Sequence, residues 1–527
     1  MIRILTSLIA LLAVTNLEAQ QQMPKLVVYI TVDQLRGDHL HHFYNTFGER
    51  GFKRLLNSGI VYNNVRFAFP NVGEANAFAT LFTGTNPYKH GIAANELYDF
   101  EQGKTSSVLH DAEFLGNYTP ENFSPRKLLS STIADELKIA SKGRSDVYSI
   151  APNAEAALIS AGHAANGAYW MDDYNGKWAT TTYFKAMPWY VDRLNNGPEA
   201  LIARLPSLEW TPSMPMANYR AFPYVMDEIP FKHTFKDRDT DCYFRLKTSP
   251  YINKEVNRLA LRFIESAGFA TRSCPDMLAL TYFAGSYLPK KDQEYSLEIQ
   301  DTYHQLDKDI EVLLDAIDKK IGLNKTLVVL TGTGYFNATE AYADGLNVHV
   351  GDFHPKRCVA LLNMYLMATY GGEKNWVKGF YDNQLFLNRK SIEEAKLDLE
   401  AVQQKAADFI AEFSGVQQVI TDFSLRRGEW NAETQSLYLG THASMRGDLT
   451  LSLKPGWRVN NEVPGEEVHL VRHNAIQTPL IFMGAGLKPQ RIHREVKATE
   501  VAPSVTHILR IRPPNACEEL PLRELTY

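Results

Sequence analysis

The chain is 527 residues long, 45% hydrophobic and 22% charged, with acidic and basic residues mixed along it to a formal net charge of −5. That length exceeds one compact core, so it predicts a single large α/β domain with insertions, or two or three domains. The absence of a basic stripe or polybasic cluster argues against a nucleic-acid partner and against binding to a charged membrane surface.

The first residues read as an export signal. Arg3 supplies the charged start, residues 4–14 form a short apolar run, and Glu18-Ala19 precedes the polar Gln20-Gln21-Gln22. The expectation is a signal peptide over 1–19, cut after Ala19, and an exported product, periplasmic or secreted. Leu17 is larger than the residue usually found at its place before the cut, so the position of cleavage stays open. The run is too short for a membrane span, and no other stretch is long and apolar enough to make one. No cysteine follows it, so a lipid anchor is not indicated. The cysteines, Cys242, Cys274, Cys358 and Cys517, show no metal-binding spacing.

Residues 25–32 are β-rich and apolar at nearly every position, which suits a parallel strand covered on both faces. Asp33 therefore stands at the carboxyl end of a strand, where open α/β sheets bind ligands. Residues 47–58 and 74–83 read as helices. Further strands are predicted at 147–151, 277–282, 326–331 and 479–483, and helices at 297–321 and 392–413. Strands alternating with helices imply a mainly parallel sheet flanked by helices. Two stretches lack clear periodicity. One, about 160–255, reads as an inserted cap, and the other, about 336–460, as an irregular insertion, both within a domain spanning 24–527.

Several motifs are specific. They are Thr31-Val32-Asp33-Gln34-Leu35-Arg36, Thr83-Gly84 with Pro87 and His90-Gly91-Ile92, and Ala161-Gly162-His163-Ala164-Ala165-Asn166 with Ala168-Tyr169-Trp170. Asp301-Thr302-Tyr303, Leu306-Asp307-Lys308-Asp309 and Lys454-Pro455-Gly456-Trp457 follow. Together they resemble the PafA-type bacterial alkaline phosphatases, within the type I phosphodiesterase and nucleotide pyrophosphatase group, almost end to end. The resemblance implies an alkaline-phosphatase-like fold, a three-layer α/β/α sandwich with a mainly parallel sheet and inserted cap segments. It also implies a two-zinc site. In such a site a threonine attacks phosphorus, the metals stabilise the attacking and leaving oxygens, and an Asn and a Lys-x-Arg element grip the phosphoryl group.

Counting from the landmarks, Asp33 matches the first metal ligand and Asn95 the phosphate-gripping Asn. The nucleophile's position falls on Glu74 in one register and on Gly73 in another, neither a hydroxyl. The Lys-x-Arg element falls on Asn153 and Glu155. The Asp-Tyr-x-Gly-His segment falls on Ser286-Tyr287-Leu288-Pro289-Lys290, and Thr-Ala-Asp-His-Gly on Thr331-Gly332-Thr333-Gly334-Tyr335. The last histidine falls on Val468, with His469 one step away. A carboxylate at the attacking position repels a phosphate dianion.

The reading that follows is a catalytically inactive pseudo-phosphatase that works by binding an unknown ligand or protein partner. Its expected contacts are the vestigial cleft of Asp33, Glu74, Asn95, Asn153, Glu155, Ser286, Lys290 and Thr333. No catalytic residue and no cofactor are expected, with zinc only if the site has been rebuilt. Two alternatives stand beside it: a phosphomonoesterase or phosphodiesterase with such a rebuilt metal site, and a structural or complex-assembly protein. For each cleft residue a plainer role competes. Asp33 could cap the following turn, Asn95 could satisfy loop backbone, and Glu74 could simply begin a helix. His349, Asp352 and His354, with His469 and His473, are the most metal-like clusters left, and surface histidines are the favoured reading of them.

Overall fold

A computed structural model describes residues 23–184, 187–220, 230–235, 241–287, 296–336, 351–372, 374–428, 431–461 and 476–525. The signal segment, Lys290, His349, Val468, His469 and His473 lie outside them.

The core is an eleven-stranded sheet. Its strands are β1 (Leu26–Asp33), β2 (Ile60–Arg66), β3 (Gly116–Asn117), β4 (Val147–Ala151), β5 (Gly167–Met171) and β6 (Trp178–Thr181). β7 (Asp276–Phe283), β8 (Thr326–Gly332), β9 (Thr478–Gly484), β10 (Gln490–Ile492) and β11 (Val496–Lys497) complete it. Across the sheet the order is β10-β2-β9-β8-β1-β7-β4-β5-β6-β3, with β11 also on β2. β1 sits between β7 and β8, parallel to both, with Asp33 level with Phe283 and Val32 level with Gly332. β4 and β5 continue the parallel run, whereas β9 pairs antiparallel with β8 and β2.

The double-sided burial of β1 explains its apolar run. Leu26, Val28, Ile30 and Val32 join one core, which also holds residues of α4 (Pro250–Ser266) and α5 (Leu297–Lys320). Val27 and Tyr29 join the opposite core, with α1 (Glu74–Thr83), α2 (Ala154–Ala161) and the helix Val501–Ile508. Sheet and two helical layers make the expected α/β/α sandwich.

The stretch after residue 160 first contributes β5 and β6 to this sheet, and only then leaves it for short helices, including α3 (Cys242–Lys247). Beyond residue 350 the strands Val377–Tyr381, Gln384–Leu387, Val416–Thr421 and Leu449–Leu453 form a separate four-stranded sheet. It carries a core of its own, built around Leu362, Trp376, Leu385, Val402 and Leu451. Cys358 is fully buried there, and burial pushes its thiol up to about 12.

Two expected helices are corrected. The helix expected over 47–58 begins at Phe52, because Asp307 of α5 accepts from the backbone N–H groups of Gly48 (2.7 Å) and Phe52 (2.6 Å) and holds the preceding turn open. The helix expected over 392–413 is two, Arg389–Glu394 and Leu399–Ala411. Lys396 breaks them with a φ of 56°, and Asp398 caps the second by accepting from Ala401 N–H at 3.0 Å.

Candidate functional site

β1, β7 and β8 end side by side, so the residues that follow them gather at one edge of the sheet. Asp33 closes β1 and is 6% exposed. The chain then turns through Gln34 with a φ of 60°, an uncommon conformation for a residue with a side chain. The turn is locked from β8. Gln34 N–H donates to Thr333 Oγ1 at 2.9 Å, and Thr333 Oγ1 donates to Asp33 Oδ1 at 3.0 Å. The Tyr335 hydroxyl donates to the same carboxyl group. Burial raises Asp33 above the ordinary carboxyl range, and the hydrogen bonds from Tyr335, Thr333 and Gln34 oppose that rise.

Glu74 is the first residue of α1. Asn153 Nδ2 donates to both of its carboxyl oxygens, at 3.1 and 3.0 Å. Burial raises Glu74 well above the usual range, and the neighbouring charges of Asp33 and Glu155 raise it further. Glu155, in the first turn of α2, is also raised by burial, against a hydrogen bond from Ser107 Oγ at 3.1 Å. Two groups the sequence did not single out belong to the same cluster. Burial beside Glu155 and Asp173 brings Glu121 up to about 7. Lys247, the last residue of α3 and 7% exposed, pairs with Asp173 at 2.5 Å and lowers Glu74, Glu155 and Glu121. Lys247 lies in the aperiodic stretch, where no motif points to it.

The structure thus brings Asp33, Thr333, Glu74, Asn153 and Glu155 into one electrostatically linked group. Asn95 stands at its margin, where Oδ1 accepts from Ala75 N–H at 2.9 Å, the backbone role weighed for it above. Ser286 follows the end of β7 and is 9% exposed, and its hydroxyl has no hydrogen-bond partner among the described residues. Asp352 accepts from Arg458 Nε at 2.7 Å, so it is engaged in an ion pair.

The described residues do not fit a two-zinc centre. Both oxygens of Glu74 are taken by Asn153, one oxygen of Asp33 is taken by Thr333, and no group of three His, Cys, Asp or Glu able to hold a metal occurs among those residues. What the arrangement offers instead is paired acid and base chemistry. Burial raises both Asp33 and Glu74, so each holds a proton more readily than a free carboxyl group.

Comparison with known proteins bears directly on turnover. Residues 27–474 match the model of the type I phosphodiesterase / nucleotide pyrophosphatase family. The alkaline phosphatase PafA of Elizabethkingia meningoseptica is 27% identical over 520 residues, covering 95% of this chain and 94% of that protein. The alkaline phosphatase PhoV of Synechococcus elongatus is 28% identical over 514 residues, covering 93% and 91%. A protein of Myroides odoratus named calcium-transporting ATPase is 29% identical over 526 residues, covering 95% of each chain. The crystal structure of wild type PafA superposes with a TM-score of 0.83 over 95% of this chain and 99% of that one.

These findings correct the expectation of a pseudo-phosphatase that binds without turnover, since the likeness to alkaline phosphatases runs the length of the chain in both sequence and fold. The repulsion argument behind that expectation is weakened as well. It assumed an ionised Glu74, and burial raises that group well above the ordinary carboxyl range, which disfavours its charged form. By the match over 27–474, this chain belongs to the type I phosphodiesterase / nucleotide pyrophosphatase family.

Proposed function

We propose that the protein hydrolyses phosphate monoesters or diesters at the edge formed by β1, β7 and β8, through a site rebuilt on carboxyl groups. The observation that carries this is the pair of buried carboxyl groups Asp33 and Glu74, the first held by Thr333 and Tyr335, the second by Asn153, with the charge of Asp33 raising Glu74. Protonated Glu74, steered by Asn153, donates a hydrogen bond to a phosphoryl or leaving oxygen and supplies the proton as the P–O bond breaks. Asp33, oriented by Thr333 and Tyr335, accepts the proton of the attacking water. The names of the relatives and the shared fold support the substrate class, and the order of charge, apolar run and polar exit over residues 1–22 supports export.

Turnover of p-nitrophenyl phosphate and bis-p-nitrophenyl phosphate by the mature chain tests the reading. Wild type is expected to turn over at least one of them, and Glu74→Gln and Asp33→Asn each to lose about a hundredfold or more, the usual worth of a positioned acid or base. Absence of turnover in wild type from about pH 4 to 9, or full activity in both variants, refutes it.

A further inference from the structure

Away from the carboxyl cluster the fold forms a cavity of about 930 Å³. It lies between the helix Gly37–His42, the turn that follows that helix, residues 217–220 of the inserted segment and the first turn of α5. α5 packs across the sheet from α1 and α2, so the cavity belongs to the other layer from Glu74 and Asn153. Its charged lining is of one sign. Arg220 and Arg491 line it together with His41 and His42, and no aspartate or glutamate among the described residues does. In a chain with a net charge of −5, a concave wall with two arginines and no carboxylate attracts anions selectively.

Arg220 is set in place from the buried side. Gln300 on α5, 2% exposed, uses both ends of its amide on the arginine's backbone. Its Oε1 accepts from Arg220 N–H at 2.8 Å, and its Nε2 donates to the Arg220 carbonyl at 2.9 Å. Arg220 Nη1 donates in turn to the carbonyl of His42 at 3.1 Å, which ties the inserted segment to the helix Gly37–His42. Arg491 comes from a separate element, the edge strand β10, and its side chain makes no ion pair or hydrogen bond to a described residue. Planar guanidinium groups bind phosphate oxygens in pairs, and a backbone ordered before binding lowers the entropy lost when the ligand arrives. The volume falls in the range of sites for small organic molecules, about 300–1,000 Å³, and exceeds what a lone phosphate ion fills. The Tyr44 side chain, which also lines it, offers an aromatic wall to the organic part. We propose that this cavity binds an organic phosphate, with Arg220 and Arg491 on its phosphoryl oxygens, at a site separate from the carboxyl cluster. The inference does not depend on turnover.

Calorimetry on the full mature chain tests this, with α,β-methylene ADP as the probe because its P–C–P bridge is not hydrolysed. Binding is expected to weaken about tenfold or more in Arg220→Met and in Arg491→Met, each of which loses a charge-assisted contact. It is expected to be unchanged in Glu74→Gln, absent for adenosine and weaker for methylenediphosphonate. Thermal unfolding of each variant identifies a folding defect. Arg491→Met alters an exposed side chain on an edge strand, so it carries the test if Arg220→Met does not fold. A wild type that does not bind the probe overturns the proposal, as does equal affinity in wild type and both arginine variants. Binding lost in Glu74→Gln but kept in the arginine variants also overturns it, by placing the probe in the carboxyl site. Adenosine binding as tightly as the probe removes the phosphate from the assignment, and methylenediphosphonate binding as tightly removes the organic part. A chain that binds the probe through the arginines and turns over neither p-nitrophenyl ester sinks the hydrolase reading and leaves this one standing.

Discussion

Asp301 ties the inserted segment to the core, and its replacement by Asn gives a prediction that can be worked from individual atoms. The side chain is fully buried on α5. Its Oδ1 accepts from Ser213 N–H (2.8 Å), Ser213 Oγ (2.5 Å) and the Tyr219 hydroxyl (2.6 Å), and its Oδ2 from Trp210 Nε1 (2.7 Å) and Gln305 Nε2 (2.5 Å). An asparagine can enter in two orientations. With its amide nitrogen at the Oδ2 position, Trp210 N–H faces another donor. With the nitrogen at the Oδ1 position, Ser213 N–H does. The hydroxyls and the Gln305 amide can rotate to compensate, and these two N–H groups cannot. Either way one buried donor is left unpaired, at about 1–3 kcal/mol, and the remaining bonds lose their charge assistance, so Asp301→Asn is expected to destabilise the fold by about 3 kcal/mol. Urea unfolding followed by tryptophan fluorescence measures it, since Trp210 is itself a partner. A change below about 0.5 kcal/mol, the range of ordinary surface substitutions, refutes the network as described.

A second test concerns pH. Asp309 on α5 has an unpartnered, buried Oδ2, and burial pushes the group up to about 7. Between its ordinary range and about 7 the native state holds a proton that the unfolded chain has released. Stability from this group is therefore complete at about pH 4 and lost as pH rises toward 8. Asp309→Asn is expected to gain on wild type over that interval by at most about 4 kcal/mol, and a difference that stays constant with pH contradicts the assignment. Because burial raises Glu74, Glu74→Gln is expected to gain stability relative to wild type as pH rises from the ordinary carboxyl range, while turnover falls. A stability difference that does not change with pH contradicts the raised Glu74. Elemental analysis of the purified chain is expected to find far less than the roughly two zinc ions of a two-metal phosphatase. A full complement would place the missing ligands in segments such as those of His349 and His469, and would end the carboxyl-only reading. Finally, Gly51→Ala is expected to destabilise by more than about 1 kcal/mol, because the added methyl group lands on Asp307 and displaces the cap it makes on Phe52.

The elements legible in the sequence were those whose pattern is local and strong. β1, β4, β7, β8 and β9 came from apolar runs that both layers bury, and α5 from its three- and four-residue spacing, each to within a residue or two. Asp33 was legible because a strand's carboxyl end is a position in the chain as well as in space. The start of the helix at Phe52 was not, because what sets it is Asp307, more than 250 residues away. The same holds inside the cleft. Sequence alone singled out Glu74, Asn153 and Glu155, and took Glu74 for a charge. Only the folded chain showed what disfavours that charge, because desolvation and the fields of Asp33 and Glu155 exist only once β1, α1 and α2 are packed together. Lys247 was beyond reach for the same reason. A lysine on a short helix in an aperiodic stretch carries no signal until the turn after β5 brings Asp173 against it.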